Sequence, residues 1–94
     1  MNHYIIVKFN NDYDYLKEIN NITSLFNESL KISGVDKVNI YVSNSKLSNR
    51  YDLMVKMELT NDGLVEFDNS WIHAKWKEDY GKYIENKTIF DCNK

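Results

Sequence analysis

Residues 3–9 read HYIIVKF, and their alternation limits the fold more than any other stretch. Successive side chains of a strand point to opposite faces, so His3, Ile5, Val7 and Phe9 share one face and Tyr4, Ile6 and Lys8 the other. Both faces carry bulky apolar groups, and both need cover. The chain has 94 residues, which suits one domain over 1–94 with one modest core burying roughly 60–65% of the unfolded surface.

Downstream the period changes. In NNDYDYLKEINNITSLFNESLKISG, Leu16, Ile19, Ile22, Phe26 and Leu30 follow three-and-four spacing after an Asn or Asp cap, and Gly34 supplies the stop. This predicts a long amphipathic helix. VDKVNIYVS returns to alternation with Val38, Ile40 and Val42 on one face. Beyond the polar turn NSKLSN, RYDLMVKMEL alternates with Leu53, Val55, Met57 and Leu59, which predicts a hairpin. TNDGLVEFDNS predicts a short helix, WIHAKWKEDYGKYI a second one, and KTIFDC a closing strand. The order β-α-β-β-α-β is that of a ferredoxin-like split βαβ plan, an α+β fold with a four-stranded antiparallel sheet and helices on one face. Proline is absent and glycines are few, so no linker, repeat or low-complexity tract interrupts it.

The uncovered face of such a sheet governs assembly. It carries Tyr4, Ile6 and Lys8 from the first strand, Asn39 and Tyr41 from the second, Met54 and Lys56 from the third, and Phe90 and Cys92 from the last. Tyr4, Ile6, Tyr41, Met54 and Phe90 together form too large an apolar patch for water, and such a patch marks an interface. Two sheets packed face to face make a two-fold symmetric barrel, so a homodimer with these five residues in its interface is expected.

Composition argues against other partners. The net charge is -2, Arg50 is the single arginine, and the lysines are scattered, which speaks against nucleic acid. RYDLMVKMEL also lacks the aromatic consensus of an RNA-recognition strand. The start, MNHYIIVKFN, has no signal-peptide pattern, and no apolar run approaches the ~18 residues of a membrane span. A cytoplasmic protein without membrane contact is expected. One cysteine, Cys92, excludes an intrachain disulfide and argues against zinc or iron–sulfur ligation, so neither metal nor cofactor is implied. The NIT, NES and NKT sequons read as chance in an Asn-rich chain.

HYIIVKF at the start, SNSKLSNRYDLMVKMEL in the middle and WIHAKWKEDYGKYIENKTIFD at the end together resemble the stress-responsive dimeric α/β-barrel (Dabb) family. The likeness covers nearly the whole chain. It is carried by the strand-one histidine and its alternating aliphatics, the YDL opening of strand three, the histidine of the second helical segment and the final FD. The resemblance implies a ferredoxin-like dimer with a cavity between sheet and helices, in a family of mostly unassigned function. In a plant polyketide cyclase similar in layout, a histidine at the position of His73 and a tyrosine six residues earlier serve an aldol-type ring closure, with the strand-one histidine nearby. Phe67 holds the tyrosine's place here, and a phenyl ring can neither donate nor accept the proton. That departure counts against the cyclase reaction.

His73 and His3 are the candidate catalytic groups. Ser70 is a good N-cap, which makes His73 the third helical residue, where the helix dipole opposes protonation. A neutral imidazole there suits proton acceptance or polarisation of a carbonyl. The plainer alternative places His73 in a helical stripe with Trp76, Tyr80 and Tyr83, satisfied by a backbone partner. His3 shares the helix-side face of its strand, so the two histidines can meet at one end of the cavity; otherwise His3 caps the strand end. Ile5, Val7, Phe9, Phe26, Val55, Phe67 and Trp76 are expected in the core and as lining for a ligand. Trp71 and Trp76 are the side chains able to stack on a planar molecule. Asp52 and Asp91, at strand ends, are expected as solvated charges, and Cys92 lacks a basic neighbour to favour thiolate.

The expected function is binding of a small, largely apolar or aromatic molecule, with His73 and His3 as polar contacts. A polyketide cyclase-like lyase or a cofactor-light monooxygenase using His73 are the enzymatic alternatives, the latter from architecture alone.

Overall fold

The computed structural model describes residues 1–94. Strands β1 (Asn2–Phe9), β2 (Val35–Val42), β3 (Leu53–Leu59) and β4 (Ile84–Cys92) form an antiparallel sheet in the order β2-β3-β1-β4. Helices α1 (Ile19–Asn27), α2 (Asn61–Asp68) and α3 (Trp71–Tyr80) pack on one face. Burial alternates residue by residue along β1 and β3, as the period of two requires. Register carries the alternation across the sheet: Ile5 stands opposite Val55 and Ile89, while Tyr4 stands opposite Lys56 and Phe90.

The first helix is shorter than its spacing predicts. Regular α-helix covers Ile19–Asn27, flanked by 3-10 turns at Tyr15–Glu18 and Glu28–Lys31. Leu16 and Leu30 fall in those turns and are about half exposed. A 3-10 turn has about three residues instead of 3.6, which rotates both leucines off the buried stripe. Ile22, Leu25 and Phe26 remain to bury the helix, and Phe26 packs against Phe67 and edge-on against Trp76 at ring distances of 6.1 and 5.0 Å. The second predicted helix is likewise shorter: α3 ends at Tyr80, and Tyr83 lies in a following 3-10 turn, stacked on Tyr13 at 4.0 Å.

Two close approaches lock the sheet to the helices. Gly34 takes φ +92°, and a Cβ on Gly63 would lie 2.6 Å from the Gly34 carbonyl oxygen, so the backbones touch where α2 begins beside β2. Thr60 caps α2 there, accepting from the Gly63 amide at 3.0 Å while its own amide donates to the Gly34 oxygen at 2.8 Å. At the far end of β1 the pairing with β3 ends at Val7–Leu53, and the next amide facing that side, that of Phe9, donates to Asp52 Oδ2 at 2.8 Å. Asp52 is therefore a backbone clamp and not a solvated charge, because the end of the β3 ladder leaves a partly buried N–H in need of an acceptor.

No helix covers the other face of the sheet. Tyr41 and Phe90 are exposed there, and Tyr4, Ile6 and Met54 are half-buried by their neighbours. No helix of the chain is long and apolar enough to cross a membrane.

Candidate functional site

Between the helix-side face of β1–β4 and helices α2 and α3 lies a cavity of about 250 Å³. Ile5, Leu64, Trp76 and Ile89 give it apolar walls, and His3, His73, Asp68, Lys87 and Asp91 bring polar groups to it. The fold thus brings both histidines to one cavity.

His3 is almost fully buried, at 5% exposure, and pairs in register with Asp91 of β4. Its Nδ1–H donates to Asp91 Oδ1 at 2.5 Å. A carboxylate accepts and does not donate, so a hydrogen sits on Nδ1, and in the uncharged tautomer Nε2 is the acceptor. Asp91 is accordingly engaged, where a solvated charge was expected; the sheet register places it beside a buried donor.

His73 stands in the first turn of α3. Ser70 caps this helix, its Oγ accepting from the His73 amide at 3.3 Å and donating to the Phe67 carbonyl at 2.6 Å. The His73 ring Nδ1 donates to the Asp68 carbonyl at 3.2 Å, which again leaves Nε2 as the free acceptor. Burial lowers the pKa of His73 below the usual histidine value, Lys77 lowers it further, and Asp68 partly opposes them. Burial is thus the largest cause of the neutral ring, ahead of neighbouring charge.

Phe67 packs against both imidazoles. It is fully buried, its ring 6.4 Å from His3 in an edge-on arrangement and 5.3 Å from His73. A ring without a hydroxyl therefore packs against both histidines and can neither donate a proton to them nor accept one.

Of the residues expected to line a ligand, Ile5 and Trp76 border the cavity. Val7, Phe9, Phe26, Val55 and Phe67 do not: they pack in the core outside its lining. Phe9 lies at the opposite end of β1 from His3 and stacks on Tyr15 at 5.1 Å. Trp71 points away and stands 58% exposed in a surface groove of about 580 Å³ between α1 and α3. That groove is larger, but it holds no imidazole, and Lys75 and Asp79 there pair with each other at 2.9 Å. The smaller cavity, where independent polar groups converge, is the candidate site.

Lys87 and Ile89 line the site without having been singled out from the sequence. Their signal was the parity of the last strand: with Phe90 and Cys92 on the outer face, Lys87, Ile89 and Asp91 must share the helix side. Leu64 and Asp68, four apart on α2, follow from helical spacing in the same way.

No protein-family model and no curated protein matches the chain in sequence. Solved structures do match in fold. A Dabb family protein with a ferredoxin-like fold from Mesorhizobium loti superimposes with a TM-score of 0.73 at 14% identity, covering 99% of this chain and 94% of that one. A dimeric ferredoxin-like protein of unknown function from Thermobifida fusca gives 0.78 at 11%, covering 95% and 85%. A hydroxynitrile lyase from Passiflora edulis gives 0.73 at 8%, covering 95% and 87%. The chain therefore has the ferredoxin-like α+β fold, and a Dabb family protein is among the structures that share it.

Proposed function

We propose that this chain is a homodimeric protein of the Dabb type whose protomers each bind one small, largely apolar molecule in the His3–His73 cavity. The observation that carries the reading is the convergence of two histidines from distant parts of the chain on one cavity, each with Nδ1–H engaged and Nε2 left as an acceptor. Apolar walls supply the affinity, and the two acceptors suit a hydroxyl on the ligand. At about 250 Å³ the cavity is below the ~300–1,000 Å³ of sites for drug-sized molecules, so the ligand is of modest size. Dimerisation is supported by the uncovered apolar face of the sheet and by the dimeric state of the Thermobifida fusca protein that shares the fold.

The test is a thermal-shift screen of small aromatic and aliphatic compounds on wild type, His3→Ala and His73→Ala. A ligand at one hundred times its Kd stabilises by about 2.7 kcal/mol, a readily measured shift. Compounds that stabilise wild type and neither variant support the reading. Compounds that stabilise all three proteins equally place binding elsewhere and overturn it.

A second reading, acid–base chemistry on a carbonyl compound, is favoured by the Asp91-oriented His3 beside a neutral His73, an arrangement that positions a proton acceptor. The lyase from Passiflora edulis shares the fold. Exchange of the α-protons of a bound ketone into deuterated water, abolished in His73→Ala, would distinguish a reaction from binding alone.

A further inference from the structure

The uncovered face of the sheet has a relief of its own. Register lines up its outward side chains in rows across the four strands: Phe90, Tyr4, Lys56 and Asn39 make one row, and Thr88, Ile6, Met54 and Tyr41 the next. Phe90, on edge strand β4, is a knob, more than half exposed with its ring 6.3 Å from that of Tyr4. Toward the opposite edge lies a pit of about 210 Å³ with Ile6, Tyr41 and Met54 among its walls. Tyr51 is a further wall. From the loop before β3 it reaches across β1, and its hydroxyl meets Thr88 Oγ1 on β4 at 2.9 Å.

Knob and pit lie toward opposite edges of one face, and this decides how a second copy fits. In a two-fold dimer every contact is made twice, residue i on j and j on i. An axis running along the strands keeps the rows aligned and reverses the strand order, so β4 lies over the partner's β2 and β1 over its β3. Phe90 then comes down one two-residue step from the partner's Tyr41, at the pit. Ile6 faces the partner's Met54, and Tyr4 faces the partner's Lys56, where ring and ammonium attract each other. An axis across the strands lays each strand on its own copy instead. Knob then meets β4, pit meets pit, and neither is filled.

Building on the dimer of the proposed function, we infer that the outer-face pit is the seat of the partner's Phe90, the two protomers being related by an axis along the strands. Each protomer gives one aromatic knob and receives one.

The test mixes Phe90→Lys with Tyr41→Glu, each of which breaks the dimer alone. In the mixed pair one contact is native, and the other joins the introduced lysine to the introduced glutamate. The mixture should therefore sediment as a dimer, with a dissociation constant at least about tenfold below that of either variant alone. A mixture that stays monomeric while wild type dimerises overturns the arrangement and leaves the dimer reading standing. Chemical cross-linking gives a second measurement that keeps the charges out of the interface. In a Cys92→Ser background, a short bismaleimide should link Phe90→Cys to Tyr41→Cys in preference to like pairs. Preferential linking of Phe90→Cys to itself puts β4 on β4 and overturns the inference. Wild type that sediments as a single chain overturns the dimer reading, and this inference with it.

Discussion

Asp91 Oδ1 accepts a hydrogen bond from His3 Nδ1 at 2.5 Å, joining the first strand to the last. The side chain of His3 is 7% exposed and that of Asp91 is 43% exposed, so the carboxylate keeps much of its hydration while the buried imidazole gains its partner. Asp91→Ala leaves a buried N–H unsatisfied and should cost about 1–2 kcal/mol in urea unfolding. Asp91→Asn retains an oxygen acceptor and should cost less. An Asp91→Ala variant as stable as wild type would show that the pair contributes nothing.

Stability should depend on the charge of His73. Its pKa in the fold is lowered from 6.5, by burial first and then by Lys77. Below 6.5 the unfolded chain therefore binds a proton that the folded chain does not, and stability rises with pH in that window. The contribution is complete above 6.5 and is lost as pH falls through the folded value. His73→Gln should flatten this part of the profile, and Lys77→Met should raise the pKa read from the His73 Hε1 resonance. A ring that titrates above 6.5 in the folded protein contradicts the assignment.

The contact between Gly34 and Gly63 should tolerate no side chain. A Cβ on Gly63 meets the Gly34 carbonyl, which is backbone and cannot swing aside. Gly63→Ala should therefore destabilise by about 1–3 kcal/mol, the usual range for overpacking. Gly81 is the control. It has αR backbone angles and nothing within 4 Å of an added Cβ, so Gly81→Ala should be neutral or stabilise by up to about 1 kcal/mol. Thermal unfolding of the two variants side by side checks the contrast.

The outer face of the sheet should hold the dimer together. Phe90 is 57% and Tyr41 47% exposed on the isolated chain, and both would be covered by a second sheet. Phe90→Lys and Tyr41→Glu should each convert a dimer into monomers in sedimentation experiments, with the circular dichroism spectrum unchanged. Wild type that sediments as a single chain at micromolar concentration would contradict dimerisation through this face.

Much of this architecture can be read from local pattern. The alternation in HYIIVKF and LMVKMEL reappears as alternating burial, because backbone geometry sends neighbouring side chains of a strand to opposite faces wherever the strand lies. Ser70 was recognisable as a cap for the same local reason, since its hydroxyl reaches only the first turn of the helix that follows. Leu16 and Leu30 show the limit of such reading. Their spacing suits an α-helix, but the chain tightens into 3-10 turns around both, and spacing does not reveal pitch.

The site lies beyond that limit. Both histidines are visible as candidates, and strand parity puts His3 on the helix side; their arrival at one cavity depends on how α2 and α3 settle on the sheet. Asp91 and Asp52 looked like free charges because their partners, His3 and the Phe9 amide, are remote in sequence and are reached only through strand register. A side chain's direction follows from its nearest neighbours along the chain. The identity of a polar group's partner follows from sheet order and packing, which place residues from opposite ends of the chain within a hydrogen bond of one another.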